Sequence, residues 1–351
     1  MKGSMRISLL ILIVVSLLTA CFIIWWHFDQ DIKAASARSA LGSTLIATHC
    51  GTIEYQEAGK GVPLLIVHGA GGGHDQGMAF AGALAHLGIR VIAMSRFGYL
   101  RTPMPADASP ATQADAHVCL LDALGIRQAA VLGASAGAPS AMQMAIRHPD
   151  RVSALALIVP IAYKPSTLVD SAQKLSPFAE KVLMQLISSD FVFWVALHVA
   201  RHQIIKRVLA TPPELVASAS PIERARVNAM ADNILPVSAR VLGLRDDSLL
   251  GIGLPSYPLE LISAPTLIIS ARDDRFGTYA SAQYTASQIT GAKFIGYDKG
   301  GHVLVGHEKN IRAEIMKLLI RQTRPSILSS FFPTIYVLAR ITLLEKSCYC
   351  A

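Results

Sequence analysis

Short, unbroken apolar runs alternate with amphipathic stretches through the middle of this chain. Leu64–Val67, Val91–Met94, Ala129–Leu132 and Ala154–Val159 contain no polar residue, the pattern of strands buried on both faces of a sheet. Helical patterns fall between them at about 76–88, at 110–125 and from the turn after Ala134 to about His148. Thr44–Thr48 and Thr52–Tyr55 flank a Cys50-Gly51 turn and predict a hairpin. The rhythm lapses across 161–262, which holds no convincing strand but several apolar helical segments. The richest runs from Lys181 to Leu209 and carries Leu183, Met184, Leu186, Ile187, Phe191, Phe193, Trp194 and Leu197. Strand patterns resume at Thr266–Ile269 and Lys293–Tyr297. Buried strands separated by helices predict an α/β fold: a doubly wound, mostly parallel sheet built from 42–160 and 263–322. Residues 161–262 are expected as an inserted helical cap over the C-terminal edge of that sheet, where sites of α/β proteins lie.

The ends follow a different pattern. Ile7 to Trp26 carries no charge and has about the length a bilayer core requires, roughly 20 residues. Lys2 and Arg6 precede it, and Trp25, Trp26, His27 and Phe28 close it like an interfacial belt. Residues 1–28 are therefore expected as an uncleaved membrane anchor, in preference to a cleaved export signal. Leu18-Thr19-Ala20-Cys21 resembles a lipoprotein cleavage box, but the residues after Cys21 stay apolar. Lys2 and Arg6 balance Lys33 and Arg38, so charge does not orient the span; the short N-terminal tail favours placing the main domain on the non-cytoplasmic side. Residues 29–41 read as a linker or short helix. Beyond a charged helical segment from Glu308 to Arg324 lies an apolar tail, 325–351. Pro333 and Arg340 argue against a second simple span there. The tail either lies in the membrane interface or packs on the main domain.

Composition narrows the partners. With 351 residues, 52% of them hydrophobic, the chain can bury a large core and a covering domain. The net charge is +8, yet no Lys/Arg cluster is interleaved with aromatics, which excludes a nucleic-acid face. The five cysteines form no C-x-x-C pair, so no metal is expected. Cys119 reads as core on a helical apolar face, and no disulfide framework is evident; Cys348 and Cys350 fall in the tail.

The chemistry centres on Gly133-Ala134-Ser135-Ala136-Gly137, a G-x-S-x-G pattern directly after an apolar strand. A serine on a sharp strand-to-helix turn projects its hydroxyl, and such a turn tolerates only small neighbours. A serine nucleophile needs a base, and the base needs an acid to orient it. Strand 266–270 runs into Ala271-Arg272-Asp273-Asp274, and the next strand is followed by Lys299-Gly300-Gly301-His302. Ser135, then Asp274, then His302 is the required chain order. Asp273 and Asp170 are alternative acids, and His307, placed inside the following helix, is a surface residue. Asp246 and Asp247 read as solvated turn charges of the cap. After strand 64–67 comes His68-Gly69-Ala70-Gly71-Gly72-Gly73, where glycines let backbone N–H groups approach a reacting carbonyl oxygen; the N–H of Ala136 is the partner donor. The loop lacks phosphate-loop and dinucleotide spacing.

Taken together, His68-Gly69, Gly133–Gly137, Ala271–Asp274 and Gly301-His302 make the chain resemble an α/β-hydrolase-fold serine hydrolase over about residues 44–322. The resemblance implies a Ser135–His302–Asp274 triad, oxyanion donors at Ala70 and Ala136, and a site loop including His68, Gly69 and Gly71, with no cofactor. Where family members often carry Asp-x-x-Gly-x-Gly-x-Ser, this chain reads Ser95-Arg96-Phe97-Gly98-Tyr99-Leu100-Arg101-Thr102. Hydrolysis of a small-molecule ester is the first expectation. Carbon–carbon bond, thioester or amide cleavage and acyl transfer are alternatives on the same triad, and a non-catalytic binding protein is the rival of another class. Phe191, Phe193 and Trp194 suit either an apolar substrate or the cap's own core.

Overall fold

The computed structural model describes residues 2–165, 188–250 and 253–322. Its centre is an eight-stranded sheet: β1 (Thr44–Thr48), β2 (Gly51–Ala58), β3 (Val62–Val67), β4 (Ile89–Met94), β5 (Ala129–Ala134), β6 (Val152–Ile158), β7 (Thr266–Ala271) and β8 (Lys293–Tyr297). The order is β1-β2-β4-β3-β5-β6-β7-β8. The β1–β2 hairpin joins β4 antiparallel, and every other pairing is parallel.

Alternation along the central strands sorts the core into two layers. Leu65 and Val67 face α3 (Pro110–Ala123), α4 (Ala138–Arg147) and α10 (Thr278–Gln288), in a cluster with Leu120, Met142 and Ala282. Leu64 and Ile66 face α2 (His74–Ala81) and α11 (Glu308–Gln322), with Ala81, Ile311, Ile315 and Leu319. Both faces are covered, which is why the strands read as continuous apolar runs. Helix starts follow the local chemistry. Ser109 accepts from the Thr112 N–H at the head of α3, and Pro110 supplies the first helical residue.

The cap consists, among the described residues, of α5 (Asp190–Val199), α6 (Arg201–Arg207), α7 (Pro213–Ser218), α8 (Pro221–Asp232) and α9 (Val241–Leu250). Its centre holds Phe193, Trp194, Leu197, Ile234 and Leu235, so Phe193 and Trp194 are cap core. Leu183, Met184, Leu186 and Ile187 lie outside the described residues, as does the tail 325–351.

The N-terminal segment is one 39-residue helix, α1 (Lys2–Ala40), which includes the stretch 29–41 expected as linker or helix. Its Ile7–Trp26 part is exposed, and it is long and apolar enough to cross a membrane. Past Trp26 the helix docks on the cap. Phe28, Ile32 and Ala35 join the cap cluster, and Trp194 Nε1 donates to Asp31 Oδ2 at 2.8 Å.

Cys119 differs from expectation. It is bonded to Cys50, tying the β1–β2 turn to α3 across a separation of 69 residues. The spacing carried no sign of this, because the fold alone brings a hairpin tip against that helix.

Candidate active site

Ser135 sits where β5 gives way to a 3₁₀ turn, Ser135–Gly137, that leads into α4. Its φ of 49° is left-handed, an unfavourable conformation for a residue with a Cβ that the surrounding packing must hold. The small neighbours are required by space. A Cβ on Gly133 would stand 2.7 Å from the Ala141 Cβ, and one on Gly137 would stand 2.4 Å from the Val67 carbonyl oxygen.

Ser135 Oγ lies 2.9 Å from His302 Nε2, and His302 Nδ1 lies 2.8 Å from Asp274 Oδ2. Because the Asp274 carboxylate only accepts, this network puts the imidazole proton on Nδ1 and leaves Nε2 to accept from the serine hydroxyl. Asp274 is buried and further held by the Phe276 N–H at 2.9 Å and by the Thr278 hydroxyl. The edge of the Phe276 ring packs on the imidazole, with centroids 4.8 Å apart.

Asp273 has a different task. Its carboxylate accepts from the N–H groups of Gly300 and Gly301, at 3.2 and 2.7 Å, and so shapes the loop that carries His302. The Ala210 carbonyl, from the α6–α7 connection of the cap, accepts from Arg275 N–H at 3.0 Å and His302 N–H at 3.4 Å. His307 stands one residue ahead of α11 rather than inside it. It stacks on Tyr297 at 3.7 Å and donates to the Lys299 carbonyl, away from the serine. Asp170 lies outside the described residues.

The loop after β3 lines the other side of the serine. A Cβ on Gly69 would stand 3.1 Å from the Ser135 Cβ. Gly69 N–H donates to Gln76, Gly71 N–H to the Tyr99 hydroxyl, and Gly72 N–H to the Gly69 carbonyl. Ala70 is exposed, and its N–H has no acceptor among the described residues. Ala136 N–H is in the first turn of a helix, where no intrahelical acceptor exists.

His68 is structural. Its Nδ1 meets the Gly69 carbonyl at 2.7 Å, and its Nε2 accepts from the Arg96 N–H at 2.9 Å, joining the loops after β3 and β4. Burial, and then the Arg96 charge, hold this imidazole well below its usual range and keep it neutral.

Several supporting residues had no sequence signal. Asp247, expected as a solvated charge, is buried. It accepts both Arg96 terminal nitrogens, at 2.9 and 2.5 Å, and the Tyr99 hydroxyl. A charge on a cap helix looks solvated until the departing loop, Ser95–Thr102, is folded beneath it. Burial, and then Asp247, push the Tyr99 phenol well above its ordinary range. Arg240, also fully buried, donates to the Gly72 carbonyl at 2.5 Å and to Asp75 at 2.6 Å. Both residues lie in the cap, so two ion pairs, a buried one to Arg96 and a partly buried one to Asp75, fasten it to the loops around Ser135. Beside Ala136, a small cavity is lined by Arg96, Phe97, Gln113, Ser140 and Asp246. Arg96 Nε and Gln113 Nε2 are buried there with no partner among the described residues.

His49, Cys50 and Cys119 place their ligand atoms within 4.8 Å of one another, but the disulfide uses both sulfurs.

This constellation, on a doubly wound sheet under a helical cap, defines a hydrolase class. The model of the alpha/beta hydrolase fold family matches residues 62–307, and the chain belongs to that family. It is similar to "Uncharacterized hydrolase YcgS" of Bacillus subtilis, with 38% identity over 146 residues, which is 40% of this chain and 50% of that protein. It is also similar to the 2-hydroxymuconate semialdehyde hydrolase of Pseudomonas putida, with 39% identity over 130 residues, 36% of this chain and 46% of that one. These matches span about half the length of the curated relatives. Among solved structures, an alpha/beta hydrolase fold protein from Nakamurella multipartita superposes with a TM-score of 0.60 at 27% identity, covering 79% of this chain and 98% of the other.

Proposed function

We propose that this α/β-fold hydrolase is a membrane-anchored serine esterase acting through Ser135, His302 and Asp274. The observation that carries the reading is His302, within hydrogen-bond reach of the serine on one side and of a buried carboxylate on the other. As Ser135 Oγ attacks an ester carbonyl carbon, its proton passes to His302 Nε2. The carbonyl π pair moves onto oxygen, which the N–H groups of Ala70 and Ala136 receive. When the tetrahedral centre collapses, the carbon–oxygen bond to the alcohol breaks and His302 protonates the leaving oxygen. Water, deprotonated by His302, then cleaves the acyl-serine and releases a carboxylic acid. Asp274 stabilises the imidazolium in both halves.

A second reading is hydrolysis of a carbon–carbon bond next to a ketone on the same triad, and the similarity to the 2-hydroxymuconate semialdehyde hydrolase of Pseudomonas putida favours a carbonyl substrate other than a simple ester. It uses the same acylation step with a carbanion as leaving group. A panel of acyl esters, thioesters and vinylogous diketones, run with the wild type and Ser135→Ala, separates the readings. Turnover confined to diketones replaces the ester reading. No turnover and no fluorophosphonate label on Ser135 removes both.

The anchor reading rests on the uncharged Ile7–Trp26 segment, exposed throughout on α1. The Cys50–Cys119 disulfide supports an oxidising compartment, and hence a catalytic domain on the non-cytoplasmic side.

A further inference from the structure

The helix α5 carries polar side chains only at Asp190, its first residue, and at His198. Phe193, Trp194 and Leu197 point into the cap, yet most of the outward face is also apolar, with Phe191 44%, Val192 37% and Val199 76% exposed beside His198, whose Nδ1 meets the Trp194 carbonyl at 2.8 Å. A surface helix of a soluble domain ordinarily shows water a polar face. An exposed apolar strip on a cap calls for an occupant.

The position of α5 names that occupant. The Phe191 ring meets the Phe28 ring edge-on, with centroids 5.2 Å apart, and Trp194 meets Phe28 at 5.8 Å. Phe28 follows Trp26, the last residue of the exposed apolar segment, by two positions, which is about 3 Å along a helix axis. The head of α5 therefore stands at the level of Trp25 and Trp26, where aromatic side chains mark a membrane–water interface. Its apolar face is continuous with the apolar surface of α1. The next helix, α6, carries Lys206 and the exposed Arg207, cations suited to phosphate headgroups.

We infer that the outward face of α5 is a membrane-contact surface that seats the cap in the headgroup region of the bilayer spanned by α1. This rests on the anchor reading above and extends it. The docked turns of α1, from Phe28 to Ala35, then work as a rigid bracket rather than a loose tether. The Asp31–Trp194 hydrogen bond and the shared cluster fix the height of the cap. The cap in turn touches the His302 loop, since Val303 and Val305 pack on Ile205, Val216 and Val227. A catalytic site under such a cap draws its substrate from the lipid phase.

Site-directed photo-crosslinking tests this without relying on activity. Benzoylphenylalanine is placed singly at Phe191, Val199, Leu12 or Leu45 of the full chain, which is then reconstituted in phosphatidylcholine–phosphatidylglycerol nanodiscs. Leu12 lies in the apolar segment. Leu45 is an exposed residue of the edge strand beyond Ala40, about 20 Å along the helix from Trp26. Expected are lipid adducts at 12, 191 and 199, and only background at 45. Adducts at 12 but only background at 191 and 199 overturn the cap contact while leaving the anchor intact. Background at all four positions overturns both. Protein–protein adducts from 191 or 199 assign the face to a second copy of this chain and also overturn the proposal.

Discussion

Asp273 and Asp274 are adjacent in the chain and grip the same loop in different ways. Asp274 binds the His302 side chain, whereas Asp273 binds the backbone N–H groups of Gly300 and Gly301 just before it. One orients the imidazole and the other shapes the turn that delivers it. Asp274→Asn should cost about 10⁴-fold in kcat, because the amide favours the wrong tautomer. Asp273→Ala should cost roughly 10²-fold through misplacement of the imidazole. Steady-state kinetics on one ester reads both. Equal losses would show that the two carboxylates do not divide the work.

Arg240 links the cap to the loop after β3 through the Gly72 carbonyl and to the head of α2 through Asp75. Arg240→Met leaves the Gly72 carbonyl and the partly buried Asp75 carboxylate without their donor, so it should destabilise the fold by about 1–3 kcal/mol. The double variant Arg240→Met/Asp75→Leu should regain much of that stability, since neither charge is then left alone. It should remain slow in acylation, because the Gly72 carbonyl has lost its donor. Denaturant unfolding paired with pre-steady-state kinetics separates the two effects.

Acid should weaken the fold before the carboxylates protonate. His117 is buried between Met94 and Ser140, and burial, followed by the charge of Arg96, lowers its pKa to about 3. His68 is shifted in the same direction. An unfolded histidine titrates near 6.5. Above that pH both contributions to stability are complete. As pH falls below it, the unfolded chain takes up protons that the fold refuses, and stability is lost progressively, for His117 until about pH 3. Between pH 6.5 and 5 the loss from His117 should be up to about 2 kcal/mol, and His68 adds to it in the same direction. Thermal unfolding across that range should show the slope, and His117→Leu should flatten it.

The N-terminal helix α1 has two separable parts. Deleting residues 1–26 should leave thermal stability in detergent-free buffer nearly unchanged. Deleting 1–40 uncovers the cap cluster around Trp194 and removes the Ser39 carbonyl that His74 Nε2 meets at 2.9 Å. Loss of the Phe28, Ile32 and Ala35 contacts should cost on the order of 3 kcal/mol. Calorimetry on the two truncations makes the comparison.

Cys50→Ala should lower stability by about 2–4 kcal/mol, as expected when a long closed loop is released in the unfolded chain. Reduction of the wild type should reproduce the loss, and reduction of the variant should add nothing.

Local patterning alone made the sheet legible. Buried parallel strands must be apolar on both faces, so Leu64–Val67 and Ala129–Leu132 announce themselves locally. Ser135 is legible because its turn excludes all but small neighbours, and that demand is written within five residues. Asp274 and His302 follow because the ends of successive strands share one sheet edge. Relations between distant segments leave no local pattern and emerge only once the chain is folded. The division of labour between Asp273 and Asp274 depends on how one loop returns over another. Asp247 and Arg240 look like ordinary cap charges until the loops after β4 and β3 are folded under them, where burial makes pairing obligatory. Cys50 meets Cys119 only because a hairpin lies on α3. The docking of Phe28 on Phe191 likewise needed the cap in place, for an apolar residue just past an apolar segment does not say what it will touch.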